Sequence, residues 1–368
     1  MAKKPIFSAT HPRAISSAFE RVFLTRQDMQ CFHEPFGDVY YHGKERLGDR
    51  YEDDKLARTN SGFSNATYKD IFDAIEKGGS EGKRVFIKDM AYYLMPPDDK
   101  PPSIAPSLVN YKRGVGTTTN GELNGHSNGA AVAPVNGDHS ETRPYPYTTK
   151  AEPGNPTVVP EAVLKRFHFT FLIRHPRSSI PSYWRCTVPP LNKVTGFYDF
   201  MPSEAGYAEL VRLFDYLRGI GLVGPSIAGQ AKPNGTNGVN GTNGEKNDDK
   251  VEICVIDADD MLDNPEAMIK TYCKSINLEY KPEMLNWDNE EDQERARAVF
   301  EKWPGFHDDA LDSTHLKKRE HKKKPKSDDQ LYQEWTEKFG EEAAKTIRQT
   351  VEENVPHYEY LKQFAIKV

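Results

Sequence analysis

Thr10, Arg13, Ser16 and Ser17 stand close together in the stretch from Ser8 to Leu24, SATHPRAISSAFERVFL. Pro5-Ile-Phe ahead of them is short and apolar, as a buried strand would be. Behind them Ala14, Ala18 and Val22, with Phe19, Phe23 and Leu24, recur at helical spacing. A strand that turns tightly into a helix leaves the first-turn N–H groups unpaired and aimed at one point, with the positive end of the helix dipole behind them. Such an end binds phosphate or sulfate. Arg13 would add a fixed cation, and the two serines a pair of hydroxyls. The usual nucleotide loop reads G-x-x-x-x-G-K-[ST], whereas no glycine lies between Ser8 and Leu24. On these residues alone, a helix capped by Thr10 or Ser8 with Arg13 on the surface competes with the anion site.

Other reactive side chains fall where apolar runs end. Met29 to Phe36 reads as a second strand closing on His33-Glu34-Pro35, and Lys83 to Met90 as a third with Lys88 and Asp89 at its carboxyl end. Phe167 to Pro176 is the most sheet-like run of the chain and ends in Arg174 and His175, with a helix starting near Pro176 that carries Ser182. Val251 to Ile256 forms a fifth strand, leading through Asp257-Ala-Asp-Asp260 to a helix around Pro265. A helix over about Thr67 to Lys77 closes on Gly78-Gly79, and Glu204 to Ile220 is amphipathic. From Pro282 onward the pattern is helical, interrupted at Trp303 to Asp309.

Strands alternating with helices, and strands apolar at successive positions, predict an α/β fold with a central parallel sheet flanked by helices on both faces, ending in a helical part. In such sheets ligands sit beyond the carboxyl ends of the strands. This rule gathers Arg13, His33, Glu34, Lys88, Asp89, Arg174 and Ser182 along one edge. Their cations and hydroxyls suit a ligand carrying more than one phosphate-like group.

The 368 residues allow one large domain, and residues 1–368 are read as such. Two segments interrupt it, about 114–155 and 230–250, where Asn-Gly recurs among Gly, Thr and Pro. Their composition buries too little surface to offset ordering entropy, so both are expected to be disordered insertions. The formal charge of −6 argues against a general nucleic-acid binder, and one basic run, Lys317 to Lys326, is the exception. The four cysteines lack C-x-x-C pairing and read as buried thiols. With neither an apolar leader nor a membrane-length apolar run, the expectation is a soluble, cytoplasmic protein without a membrane partner. No His, Cys and carboxylate spacing marks a metal site, so none is expected.

Leu172-Ile-Arg-His-Pro-Arg-Ser-Ser-Ile-Pro-Ser-Tyr183, with Arg174 eight positions ahead of Ser182, resembles the 3′-phosphate motif of sulfotransferases. Thr10-His-Pro-Arg-Ala-Ile-Ser-Ser17 is similar to their 5′-phosphosulfate loop, commonly P-[KR]-S-G-[ST]-[ST]. Val255 to Glu266 resembles the "Y-E-D-L…N-P-E" passage of that superfamily, and Val355 to Leu361 its C-terminal helix. Together these resemble the sulfotransferase-like P-loop proteins abundant in fungi, across nearly the whole chain outside the two insertions. The resemblance implies a P-loop-type sulfotransferase fold and a sulfuryl transfer from 3′-phosphoadenosine 5′-phosphosulfate (PAPS) to a hydroxyl of a small organic acceptor, such as a secondary metabolite. It implies that Arg13 and the loop bind the transferring group, Ser16 and Ser17 the 5′-phosphate, Arg174 and Ser182 the 3′-phosphate, with Thr10 among the cofactor-binding residues of the loop.

Cytosolic sulfotransferases place a base His two residues beyond a strand-end Lys. Here Asp89 and Met90 follow Lys88, so that base is absent. Relatives of the trehalose sulfotransferase type use a Glu shortly after the second strand, which assigns Glu34 as base, Lys88 as electrophilic helper and His33 as the next candidate. Phe36, Tyr40, Tyr41, Tyr92, Tyr93 and Tyr183 would line an apolar acceptor pocket. Ala14 and Ile15 replace the Ser-Gly of the usual loop, and the glycine-rich C-terminal clamp of cytosolic relatives is missing, with Lys317, Lys318 or Arg319 as substitutes. The alternative is a sulfotransferase-like fold that has lost the transfer and serves as another biosynthetic enzyme or an anion-binding protein.

Overall fold

The computed structural model describes residues 3–111, 145–230, 251–320 and 326–368. Five strands form a parallel sheet: β1 (Ile6–Thr10), β2 (Met29–His33), β3 (Arg84–Met90), β4 (His168–Ile173) and, after two others, β7 (Val255–Asp257). Their order is β2-β3-β1-β4-β7. In register, Ile6 lies opposite Phe86 and His168, His33 opposite Lys88, and Phe171 opposite Val255. The chain builds outward from β1 to one side, then returns to the other. A crevice therefore opens at the carboxyl end of β1, the place where such sheets bind ligands.

The sheet separates two cores, because successive side chains on a strand point to opposite faces. Phe7, Ala9, Val85, Ile87, Phe169 and Phe171 face one layer, built by helices Pro35–His42, Tyr68–Ser80, Tyr207–Gly219 and Glu341–Lys362. Ile6, Phe86, Leu172 and Ile256 face the other, built by helices Ser16–Leu24 and Pro265–Ser275. Apolar residues on both faces of these strands thus have cover, as a sheet buried on both sides requires. The α/β class, the parallel sheet and the helical final part follow the sequence-based expectation.

Three local differences have physical causes. The run Val251–Ile256 is two strands: β6 (Val251–Ile253) pairs with β5 (Val223–Ile227) in a separate two-stranded sheet, and only β7 joins the main one. Gly224 and Pro225 concealed β5 from the sequence pattern. Gly78 and Gly79 lie inside helix Tyr68–Ser80 rather than ending it. A Cβ on Gly78 would stand 2.8 Å from Phe32 Cζ, so glycine there serves the close approach of helix to β2. The expected insertion over 114–155 also needs correction at its end: Tyr145, Tyr147 and Asn155 are buried, and Asn155 Nδ2 donates to Val159 O at 2.8 Å. Most of that stretch, and nearly all of 230–250, lie outside the described residues.

All four cysteines are free thiols. Among the described residues, no helix is long and apolar enough to cross a membrane. Phe86 is fully buried and stacks on Phe23 with ring centroids 4.2 Å apart. Phe86→Ala removes that contact and leaves a cavity that neither layer can close. It is expected to cost about 3–5 kcal/mol, read from the denaturant midpoint.

Candidate functional site

The turn from β1 into helix Ser16–Leu24 is strained. Arg13 and Ile15 both have left-handed backbones, with φ of 61° and 63°. For a β-branched residue such as Ile15 this is a true outlier, costing on the order of 1–2 kcal/mol. Residues held so against their preference cluster at ligand sites. Ile15 occupies the helix N-cap and supplies no side-chain oxygen to the first turn. Ile15, Ser16, Ser17 and Ala18 accordingly line a cleft with their end of the helix.

A second element supplies the other cations. Helix Pro176–Cys186 follows β4, and from this strand-to-helix passage Arg174 and Ser182 reach the same cleft. Arg13 Nε donates to Ser182 Oγ at 3.0 Å, and Arg174 Nη1 donates to Arg13 O at 3.1 Å. Arg13 also donates to Phe306 O. Arg174 Nε is buried with no hydrogen-bond partner among the described residues. Burial holds the Arg174 guanidinium below its ordinary pKa, only partly offset by Asp259.

His11 fastens the two arms and was not singled out in the sequence. Its Nε2 accepts the Arg174 backbone N–H at 3.0 Å, so its proton lies on Nδ1, which donates to Pro12 O at 3.0 Å. The ring stacks on Tyr207 at 3.9 Å, and Tyr207 donates from its hydroxyl to Arg174 O at 2.6 Å. Burial pushes His11 down to about 3, so it is neutral in this role. Thr10, expected among the cofactor-binding residues, lies beneath the site instead. It is fully buried, donates to Leu172 O at 2.9 Å and ties β1 to β4.

The candidate base residues form a buried network that meets the anion-binding turn at Ser17. Glu34 lines the cleft, with a left-handed backbone (φ 45°) at the start of helix Pro35–His42. Lys88, fully buried on β3, donates to Glu34 Oε1 from behind. Lys302 Nζ donates to Glu34 O at 2.6 Å and pairs with Asp38 at 2.9 Å. His33 is not a cleft-lining residue: its Nδ1 meets Glu20 Oε2 at 2.7 Å and its Nε2 meets His307 Nε2 at 3.1 Å. His307 lines the cleft, and its Nδ1 contacts Ser17 Oγ at 2.6 Å. Burial first, then Lys88, holds both histidines well below the usual range. Burial raises Glu20 to about 8 and lifts Asp89 well above a normal carboxyl. Asp89 accepts the N–H groups of Phe36 and Met90, each at 2.8 Å, a structural role. His307 lies in the interruption Trp303 to Asp309, and only the fold brings it to residues nearly 300 positions earlier.

The cleft has a volume of about 1510 Å³, beyond the ~300–1,000 Å³ of a single small-ligand pocket. Its anion-binding end carries Arg13, Ser16, Ser17, Arg174 and Ser182. Lys317, Arg319 and Lys326 from the basic run also line it, and Arg319 is held by Asp259 at 3.0 Å and Asp263 at 2.9 Å. Residues 321–325 lie outside the described residues. Of the aromatics expected in an acceptor pocket, Tyr41, Tyr92, Tyr93 and Tyr183 face the cleft, joined by Phe197, Trp303 and Phe306. Phe36 and Tyr40 are buried in the core instead.

No protein-family model matches the chain, and no curated protein matches it. Among solved structures, a sulfotransferase domain from the curacin biosynthetic pathway is similar over 92% of this chain and 98% of its own, at a TM-score of 0.38 and 12% identity.

Protonating His11 would break its bond to Arg174, which gives the site a pH signature. The unfolded chain takes up this proton near 6.5 and the folded one only near 3. The contribution is therefore complete above pH 6.5 and is lost as the pH falls toward 3. Between about pH 7 and 5 the wild type is expected to lose about 2 kcal/mol more stability than His11→Gln, measured by urea unfolding.

Proposed function

We propose that the protein is a sulfotransferase that takes its sulfuryl group from PAPS and passes it to a hydroxyl of a small organic acceptor. The observation that carries this reading is the meeting of Arg13 and Arg174, from two different strand-to-helix turns, in one cleft with Ser182 between them. A dianionic nucleotide fits these residues. The buried, unpartnered Nε of Arg174 has an acceptor to gain, and the open first turn of helix Ser16–Leu24 has donors to offer. When bound, PAPS would supply an activated sulfuryl group on its 5′-phosphate.

Sulfuryl transfer resembles phosphoryl transfer, where position and charge stabilisation supply most of the rate. In this reading Arg13 and the N–H groups of Ser16 and Ser17 hold the 5′ end and neutralise the charge released there. Arg174 and Ser182 hold the 3′-phosphate and thereby select the donor. Glu34, the carboxylate facing the aromatic end, accepts the acceptor's hydroxyl proton, and Lys88 behind it fixes the carboxylate rather than touching the donor. His33 is withdrawn behind His307 and serves to orient it. Tyr41, Tyr92, Tyr93, Phe197 and Trp303 give the acceptor end an apolar, ring-lined wall.

Titration calorimetry with adenosine 3′,5′-bisphosphate tests the reading. The wild type is expected to bind, with Arg174→Ala and Ser182→Ala each weakening binding roughly tenfold or more, the worth of a charge-assisted hydrogen bond. Glu34→Gln is expected to keep that affinity while transfer to a phenolic acceptor falls by about 10²–10⁴. A stable protein that fails to bind the bisphosphate overturns the proposal.

A further inference from the structure

We propose that His33, Glu34 and His307 form a binding site for one divalent transition-metal ion of the zinc class, bordering the cleft. Donor atoms of the three residues lie within 4.8 Å of one another, and all three side chains are buried. His33 Nε2 and His307 Nε2 are 3.1 Å apart, and Glu34 Oε1 is 3.8 Å from His33 Nε2. Two donors on a common tetrahedral zinc ion stand about 3.3 Å apart, given bonds of about 2.0–2.1 Å. Two imidazoles and one carboxylate suit zinc and its neighbours rather than calcium or magnesium, which take oxygen ligands.

A second feature separates this cluster from a chance meeting of polar groups. Each of the three residues also has a partner outside the cluster: His33 Nδ1 meets Glu20 at 2.7 Å, His307 Nδ1 meets Ser17 at 2.6 Å, and Glu34 Oε1 accepts from Lys88. The Glu20 carboxylate and the Ser17 hydroxyl can each accept an Nδ1–H, the tautomer in which an ion would replace the present Nε2···Nε2 hydrogen bond.

The surrounding charge also leaves room for a dication. Glu20, Glu34, Asp38 and Asp89 face Lys88 and Lys302 here, with Arg13 near His307 at the cleft edge. With every group ionised, the four carboxylates exceed Lys88, Lys302 and Arg13 by one negative charge, which a divalent ion would offset. Glu34 and His307 line the cleft, so the site borders it. An acceptor hydroxyl bound there would have its pKa lowered, easing loss of its proton to a Glu34 oxygen. The ion site goes beyond sulfuryl transfer and does not require it.

The test is cobalt(II) titration of the chelator-stripped full-length protein, followed by visible absorption and by the melting curve. One equivalent is expected to bind with a tetrahedral-type spectrum free of thiolate charge transfer, to raise the melting temperature, and to be displaced by zinc. His307→Ala and Glu34→Gln should abolish this uptake. The second replaces only a charge, and so reports even where the first does not fold. Glu20→Gln, which touches no ion, should weaken binding by about 10–100-fold. Absent stoichiometric uptake, or uptake undiminished in His307→Ala and Glu34→Gln, would leave a hydrogen-bonded histidine pair and overturn the site. Bisphosphate binding is measured separately, so either result can fail while the other stands.

Discussion

The link between the carboxyl ends of β1 and β4 is the contact on which the rest of the site depends. Thr10 Oγ1 bonds to Leu172 O, His11 Nε2 receives the Arg174 N–H, and Arg174 Nη1 bonds to Arg13 O. These three bonds join two turns that are 160 or more residues apart in the chain. Parallel pairing of β1 with β4 brings the turns side by side. The side-chain bonds then fasten them to one another. Without them, the two arginines would belong to independent loops, and a ligand would meet the full entropic cost of ordering both.

Packing elsewhere keeps the loop strained. Arg13 and Ile15 hold left-handed backbones although neither is glycine. Ala14 between them is fully buried, and Ile15 packs on the layer built by helix Ser16–Leu24. The apolar core thus holds a turn that local preference opposes, leaving the first-turn N–H groups facing the cleft. Glu34 repeats the arrangement at the end of β2: a left-handed residue anchored by its own N–H to Lys88 O at 2.8 Å and by Lys302 on its carbonyl. Both turns are therefore rigid before a ligand arrives.

Much of this was legible in the sequence, because buried parallel strands announce themselves as unbroken apolar runs. Four of the five strands of the main sheet, and the position of Arg13, Arg174, Ser182 and Glu34 at their ends, follow from that pattern. What the sequence hid has common physical causes. Thr10 carries the residue type of a ligand contact, yet the twofold alternation of a strand turns it under the sheet toward Leu172. His11 is one residue further and looked like part of a turn. Its role needs Arg174, which contact in sequence cannot show. His307 is the clearest case: it sits in a segment read only as a break between helices, and its partners Ser17 and His33 come from the first tenth of the chain. Gly78 resembled a helix stop and instead admits Phe32. Long-range convergence, rather than residue type, decides each of these.

The central claim is that Arg13 and Arg174 grip opposite ends of one doubly anionic adenosine compound. Its most direct test compares adenosine 3′,5′-bisphosphate with adenosine 5′-monophosphate on wild type and Arg174→Ala in a calorimetric cycle. Because Arg174 also bonds Arg13 O, Arg174→Ala is expected to weaken both nucleotides, the bisphosphate roughly tenfold or more beyond the monophosphate. Equal losses for the two nucleotides, or none for either, would contradict it.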